Sequence, residues 1–426
     1  MTQFDTAFQI AISNLRFGTG ITREIGDDLR ELHARRVMLV IDPAVRDLPA
    51  GNTVRQSLDD AGIETAMYDR VRVEPTDASF LAAAEFASAG QFDALVAVGG
   101  GSTLDTAKAA NLYSCYPAEF LDYVNAPVGK GLPVPGPVKP LIAVPTTAGT
   151  GSETTGTAIF DLVSQHCKTG ISHRHLKPLL GIVDPDNTRT QPPAVAASAG
   201  LDVLSHALES YTAMPYTGRP RPERPTLRPA YQGSNPVSDV WSLTALEIVN
   251  GYLLRAVRDP GDDEARAQMS LAASLAGIGF GNAGVHLPHG MSYPIAGLVR
   301  NFQPVGYQVD HPMVPHGISV ILTTPAVVRF TAPAAAERHL RAAAALGVDI
   351  SRAKPEDAGE ILADRVLWFL QELSIPNGLQ AVGYSPADIP ALVQGTLPQH
   401  RVTKLSPRPA GVEELSQLFA DSMKLW

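Results

Sequence analysis

Asp202 and His206 stand four residues apart in the stretch Gly200-Leu201-Asp202-Val203-Leu204-Ser205-His206-Ala207-Leu208-Glu209. That separation puts both side chains on one face of a helix, where they can share one ion. Farther along, His289 and His316 occur in nearly identical settings, Leu287-Pro288-His289-Gly290 and Val314-Pro315-His316-Gly317. Together they make a set of one carboxylate and three imidazoles without thiolates. Such ligands suit iron, zinc, nickel or cobalt, and ligand type alone does not choose among them. A bound ion with an open position would polarise a carbonyl or stabilise an alkoxide. Any one of these residues reads as structural; four in one half of the chain, two in matched settings, favour a divalent metal site.

A second group lies upstream. After the apolar run 94–98 come Gly99, Gly100, Gly101 and Ser102, and a helical pattern begins at once with Thr103, Leu104 and Asp105. Strand, glycine turn and helix in that order aim free backbone N–H groups and the helix dipole at a phosphate. The spacing is not G-x-G-x-x-G, so plain turn chemistry is the competing reading. Asp42, at the end of an earlier strand, can accept hydrogen bonds from ribose hydroxyls and would repel a 2'-phosphate, which favours NAD over NADP. A turn-capping aspartate is the alternative there. A third segment follows the run 141–144: Pro145, Thr146, Thr147, Ala148, Gly149, Thr150, Gly151, Ser152 and Glu153. Its hydroxyls and glycines suit the phosphate, ribose or amide of a nucleotide.

These residues need two kinds of support. Between about residue 16 and residue 184, short apolar runs at 37–42, 94–98, 141–144 and 181–184 alternate with helical segments, the pattern of a parallel sheet covered by helices. Runs that are apolar at nearly every position suit strands buried on both faces. Beyond Pro193 the texture changes to alanine- and leucine-rich stretches at 194–213, 237–257 and 264–278, which read as helices. The expected fold is therefore α/β plus all-α. An N-terminal Rossmann-like parallel-sheet domain, residues 1–192, binds the nucleotide, and a C-terminal helical domain, residues 193–426, carries the metal. The length of 426 residues agrees with two domains. A proline-rich segment, 214–236, interrupts the helices and carries Arg219, Arg221, Arg224 and Arg228, either as an ordered loop or as a lid.

The formal net charge of -9 excludes nucleic acid as the main ligand, because phosphate-backbone binding needs a basic surface. Two cysteines, Cys115 and Cys167, are too few for a disulfide framework or a thiolate metal site. No apolar run approaches the roughly 20 residues of a membrane span. The expectation is a cytoplasmic enzyme, or a mitochondrial one if the source is eukaryotic and a transit peptide has been removed.

The residues quoted so far resemble those of the iron-containing, group III alcohol dehydrogenases. The turn at Gly100, Gly101 and Ser102, the Pro-Thr-Thr segment from Pro145 to Glu153 and the Asp-x-x-x-His helix at Asp202 and His206 match that family in order, over nearly the whole chain. The resemblance implies metal ligation by Asp202, His206, His289 and His316, by Fe2+ with Zn2+ as the second choice. It also implies NAD contacts at Asp42, Gly100, Gly101, Ser102, Asp105, Thr146, Thr147 and Lys168, with the site in a cleft between two domains. Gly281-Asn282-Ala283-Gly284-Val285-His286 and Pro229-Ala230-Tyr231-Gln232-Gly233-Ser234-Asn235-Pro236 resemble more closely the subgroup that acts as a transhydrogenase between hydroxyacids and oxoacids. In that subgroup NAD stays bound as a shuttle, taking hydride from a hydroxyacid such as 4-hydroxybutyrate and giving it to an oxoacid such as 2-oxoglutarate. The partners implied are those small acids and further copies of the chain, as a homodimer or a higher homo-oligomer. The alternative is an alcohol dehydrogenase whose NAD exchanges freely.

Two departures from the broader family bear on mechanism. Many members carry a second histidine four residues after the third ligand; here that position is Tyr293, which becomes the candidate proton relay beside His286 and solvent. The separation between His289 and His316 is also longer, and adds Arg300 and His311. With Arg219 to Arg228, Arg300 forms the expected clamp for a substrate carboxylate, since guanidinium groups pair bidentately with carboxylates.

Overall fold

The computed structural model describes residues 3–165 and 167–426. The chain forms two compact units. One contains Ile12–Gln191 and Pro260–Ser274; the other contains Pro192–Asp259 and Leu275–Trp426, together with the N-terminal segment that ends at Ala11.

Among the described residues, the first unit is built on eight strands: β1 (Asn14–Phe17), β2 (Arg36–Ile41), β3 (Glu64–Tyr68), β4 (Ala94–Gly99), β5 (Leu141–Pro145), β6 (Thr157–Leu162), β7 (Cys167–Ser172) and β8 (Leu180–Val183). Six of them form a parallel sheet in the order β1-β8-β5-β4-β2-β3, while β6 and β7 pair as an antiparallel hairpin. Side-chain alternation explains the layering. Val37, Leu39 and Ile41 of β2 and Val96 and Val98 of β4 pack with Ile25, Leu29, Val54 and Leu58 on one face. Their neighbours Met38, Val40, Leu95 and Ala97 pack with Ala83, Ala87, Leu104 and Ala107 on the other. A strand covered on both sides by helices has no polar face to show, which is why these runs are uniformly apolar. The covering helices are α1 (Ile25–Glu31), α2 (Pro49–Asp60), α3 (Asp77–Gly90) and α4 (Gly101–Cys115), with a short α5 (Phe120–Tyr123) following.

The order in which strands are added reverses between β2 and β4. β2 leads outward to β3, and β4 leads the other way to β5. The carboxyl ends of two neighbouring strands whose connections diverge leave a crevice, the usual ligand position of open α/β sheets. Asp42 follows β2 there, and the glycine turn follows β4.

The second unit is helical. Its elements include α6 (Pro193–Thr212), α7 (Pro236–Arg258), the end of α8 (Asp263–Ala283), α9 (Leu287–Gly297) and α10 (His316–Ile321). Every residue of α6 from Gly200 to Thr212 is buried. A helix apolar on all sides belongs in a core, and the polar groups it carries there must have partners.

The proline-rich segment 214–236 is ordered by pairing. Tyr216 N–H donates to Ser234 O at 3.0 Å and Ser234 N–H to Met214 O at 2.9 Å. Gly233 adopts a φ of 92°, and a Cβ there would lie 2.4 Å from Met214 O, so only glycine fits. Asp5, 3% exposed, takes ion pairs from both Arg219 and Arg228. The hydrogen bond from Arg228, opposed by burial and aided by Arg219, holds the Asp5 carboxyl at about 2. A depressed carboxylate contributes stability that is complete above its ordinary value of 3.8 and is lost as pH falls towards about 2. Hydrogen exchange across 214–236 should therefore rise over that window in the wild type. Asp5→Asn should show fast exchange at neutral pH as well; equal protection in the two proteins would assign the order of the loop elsewhere.

Candidate active site

The glycine turn and the Pro-Thr-Thr segment meet in the first unit. A Cβ on Gly101 would lie 2.6 Å from Thr150 Cγ2, and one on Gly100 would lie 3.4 Å from Thr147 Cγ2, so small residues let the two segments touch. Thr146 N–H donates to Gly99 O at 3.0 Å, which continues the strand pairing into the loops. Gly99 has φ 158°, and a side chain there would run into Thr103 Oγ1 and the Asp42 Cβ. Helix α4 starts at Gly101 with Gly100 as its N-cap, and no side chain caps it. Its first N–H groups and the positive end of its dipole are left for an anion.

Asp42 lies beside this turn, and burial raises its carboxyl above the ordinary range, opposed by a hydrogen bond from Ala44 N–H at 2.8 Å. The turn-capping contact thus exists, and it uses one carboxylate oxygen. Asp105 and Ser152 have inward tasks. Asp105 accepts from Ser152 Oγ at 2.6 Å, from Lys108 Nζ at 3.3 Å and from Ile159 N–H at 2.9 Å. This network ties α4 to the loop after β5 and to β6. Lys168 on β7 forms ion pairs with Glu74 and Asp161. Burial opposes its charge, yet the two carboxylates hold the ammonium above its ordinary value. Glu74 N–H in turn donates to Ser102 Oγ at 3.3 Å, which links Lys168 to the edge of the turn.

The four metal-type residues come together in the second unit, with ligand atoms all within 4.8 Å of one another. Nε2 of His206, of His289 and of His316 each lie 3.7 Å from Asp202 Oδ1. That is beyond hydrogen-bond reach, but close to the roughly 3.4 Å edge of a tetrahedron with bonds of about 2.1 Å. Asp202, His206 and His289 are buried and His316 is partly exposed. His289 Nε2 is sealed from solvent and has no hydrogen-bond partner among the described residues. Three imidazoles converging on one carboxylate, one of them with a buried lone pair, fit a divalent cation.

The helices reach this arrangement through the glycines that follow the histidines. A Cβ on Gly317 would lie 1.9 Å from Ser198 O and 3.1 Å from the Asp202 Cβ, so α10 can press against α6 only there. A Cβ on Gly290 would meet Thr403 Cγ2 at 2.6 Å. The two Pro-His-Gly triplets still differ: Pro315 is the N-cap of α10, whereas Pro288 lies inside the first turn of α9. The His206 ring stacks on Phe280 at 4.0 Å between centroids and on His289 at 4.7 Å, which fixes its plane.

Glu209, one turn beyond His206, has the task the sequence did not suggest. Its Oε1 lies 2.5 Å from His289 Nδ1, and its Oε2 accepts from His286 N–H at 2.7 Å and from His289 N–H at 3.4 Å. Burial works against its charge, but His289 and these donors hold the Glu209 carboxyl below its ordinary value. A proton held on Nδ1 by Glu209 leaves the Nε2 lone pair of His289 for an ion. The available signal was an acid at the seventh position after Asp202, on the same face of an apolar helix. His286, which burial lowers to about 4, is hydrogen-bonded through Nε2 to Thr212 Oγ1 at 3.0 Å. Tyr293 is buried and accepts a hydrogen bond from Arg401 Nη2 at 3.0 Å.

Three arginines of the expected clamp are engaged elsewhere. Arg219 and Arg228 are committed to Asp5, and Arg300 pairs with Asp388 at 2.9 Å in an exposed position. His311 pairs with Asp310.

Residues 13–185 match the iron-containing alcohol dehydrogenase model, and residues 230–423 match the C-terminal model of the Fe-containing alcohol dehydrogenase family. The chain belongs to the iron-containing alcohol dehydrogenase family. It is a metal-dependent oxidoreductase. Among the similar iron-containing alcohol dehydrogenases, a mitochondrial hydroxyacid-oxoacid transhydrogenase of Rattus norvegicus is 60% identical over 99% of this chain and 91% of its own length. The protein of that name from Xenopus tropicalis is also 60% identical, again over 99% of this chain and 91% of its own. Among solved structures, a 1,3-propanediol oxidoreductase superimposes with a TM-score of 0.85 at 26% identity, covering 98% of this chain and 100% of that one.

Proposed function

We propose that the protein is a hydroxyacid-oxoacid transhydrogenase. In this reading 4-hydroxybutyrate and 2-oxoglutarate are converted to succinate semialdehyde and 2-hydroxyglutarate, with NAD bound throughout. The observation that carries it is 60% identity over 99% of the chain to relatives of that name. Asp202, His206, His289 and His316 would hold a divalent ion, which supplies a Lewis acid to the substrate oxygen. The donor set and the family's name support Fe2+, with Zn2+ compatible with the same ligands. Asp42, the turn at Gly99, Gly100, Gly101 and Ser102, and Thr146 and Thr147 would hold NAD, which supplies the hydride acceptor and donor. Asp105 and Ser152 keep the turn in place, and Lys168 acts through Glu74. Glu209 sets the tautomer of His289. Tyr293 would relay the exchangeable proton, from a hydroxyl that Arg401 polarises. For a eukaryotic source the compartment is the mitochondrion, as in the relatives' names.

The test is turnover by the purified protein with both acids and no added nucleotide, followed by quantifying succinate semialdehyde and 2-hydroxyglutarate in equal amounts. Turnover that depends on added NAD would assign the chain to freely exchanging dehydrogenases instead. Asp42 gives a second expectation. Asp42→Gly removes the carboxylate that repels a 2'-phosphate, and should shift the NADP:NAD preference by about tenfold or more towards NADP. Unchanged discrimination in a dialysed, reconstituted protein would reduce Asp42 to its contact with Ala44.

A further inference from the structure

We propose that Arg401 is the carboxylate-binding residue of the active site, holding the acid group that both substrates carry. The assignment rests on the reaction being the hydroxyacid-oxoacid exchange proposed above. Arg401 lies in the short helical turn His400–Thr403, which packs against α9 at Gly290, the residue next to His289. Nη2 donates to the Tyr293 hydroxyl, one helical turn along from His289. The guanidinium carbon lies 4.7 Å from the centre of the Tyr231 ring, so its plane is fixed from a second side. Tyr231 is itself pinned: Gly284 has φ 97°, and a Cβ there would lie 2.9 Å from the Tyr231 Cβ.

Of the other two nitrogens, Nη1 is the informative one. Nη1 is sealed from solvent and has no hydrogen-bond partner among the described residues, and no carboxylate among them pairs with Arg401. Arg219, Arg228 and Arg300 all have such partners. A guanidinium does not shed its proton, and sealing one of its N–H groups from water without an acceptor or counter-ion is costly. It is also close to the ligand set: its helical turn packs on α9 at Gly290, the neighbour of His289, and its Nη2 reaches Tyr293 on the same helix. An anionic ligand beside the metal site would supply the missing partner, and the planar fork selects a carboxylate.

Substrate chemistry gives the same answer. In 4-hydroxybutyrate the carbinol carbon is separated from the carboxylate by two methylenes. In 2-oxoglutarate the keto carbon is separated from the distal carboxylate by the same two methylenes. One fixed cation therefore serves both half-reactions, and places the reacting carbon of either acid at one point.

The experiment uses the purified holoprotein and its Arg401→Met and Arg401→Lys variants. They are assayed with 3-hydroxypropionate, 4-hydroxybutyrate, 5-hydroxypentanoate, 2-oxoglutarate and the uncharged 1-butanol, with metal content and melting temperature measured alongside. The wild type should prefer 4-hydroxybutyrate among the hydroxyacids. Arg401→Met should lose roughly a hundredfold in kcat/KM for 4-hydroxybutyrate and 2-oxoglutarate, mainly through KM, and should flatten the chain-length preference. Its 1-butanol kcat/KM should fall far less, by about tenfold at most and through kcat, because Arg401 also polarises the Tyr293 hydroxyl. Arg401→Lys keeps charge but loses the fork, and should fall between the two. Equal losses on acids and 1-butanol, or acid KM values at wild-type level, overturn the assignment; if Arg401→Met does not fold, the acid-to-alcohol ratio of Arg401→Lys decides. Calorimetric titration with glutarate separates this proposal from the reaction itself. If the wild type fails to exchange hydride between the acids, the transhydrogenase reading falls; glutarate binding that is lost with Arg401 still upholds the clamp, and glutarate binding unaffected by the substitutions removes it.

Discussion

Replacing His289 by alanine should lower turnover by roughly a thousandfold or more and leave the purified protein with little bound metal, because a buried ligand cannot be replaced by water without repacking α9. His289 is buried, its Nε2 faces Asp202 at 3.7 Å, and its ring is stacked against His206. The substitution removes one ligand and leaves Glu209 buried without its imidazole partner. His316 offers an internal comparison. Its side chain is 26% exposed, so His316→Ala opens the site towards solvent rather than leaving a closed void. That variant should bind metal more weakly than wild type, yet recover part of its turnover when imidazole is added, whereas His289→Ala should not. Elemental analysis, melting temperature and turnover, read together, decide the matter. Wild-type turnover and metal content in His289→Ala would remove it from the site, and rescue of His289→Ala but not of His316→Ala would reverse the picture of which edge is open.

The convergence of Asp202, His206, His289 and His316 was legible because residue type and helical spacing are both local. Asp202 and His206 announce a shared helix face, and the glycines after His289 and His316 permit the close helix approaches that bring four side chains to one point. The central strands were legible for the same reason, since burial on two faces makes β4, β5 and β8 apolar throughout and β2 apolar after Arg36. β3, at the sheet edge, and the hairpin β6–β7 were not. They carry mixed residues such as Glu64, Thr65, Asp161 and Lys168, and their pairing is decided by tertiary neighbours.

Charge was the least legible property. The density of arginines from Arg219 to Arg228 suggested an anion site, but the counter-ion is Asp5, more than 200 positions away. Arg401 drew no attention, because nothing near it in the chain marks it as special. Its significance lies in which of its nitrogens are occupied, and only the packing of Tyr231, Tyr293 and the 400–403 turn reveals that. A count of charges along a sequence therefore locates cations without saying which already have partners.

Glu209 supplies the second large expected effect. Its carboxylate accepts from both the Nδ1 side of His289 and the N–H groups of His286 and His289, so it orients the His289 imidazole and seals the start of α9 at once. Glu209→Gln preserves the shape and one acceptor oxygen but removes the charge that makes the imidazole a better donor to an ion. It should weaken metal affinity by about 10- to 100-fold, the usual cost of losing a carboxylate behind a ligating histidine. Turnover should return towards wild type when excess metal is supplied, since the ligands themselves are intact. Glu209→Ala should do more: it leaves three buried donors without an acceptor, each costing about 1–3 kcal/mol, and so should lower the melting temperature as well. The contrast between the two variants carries the argument. A residue that only packed would give the glutamine variant wild-type metal release to a chelator. A residue that took part in the chemistry would leave that variant slow even with the metal site saturated. Faster chelation with turnover recovered at saturating metal is the result expected of a group that acts through His289.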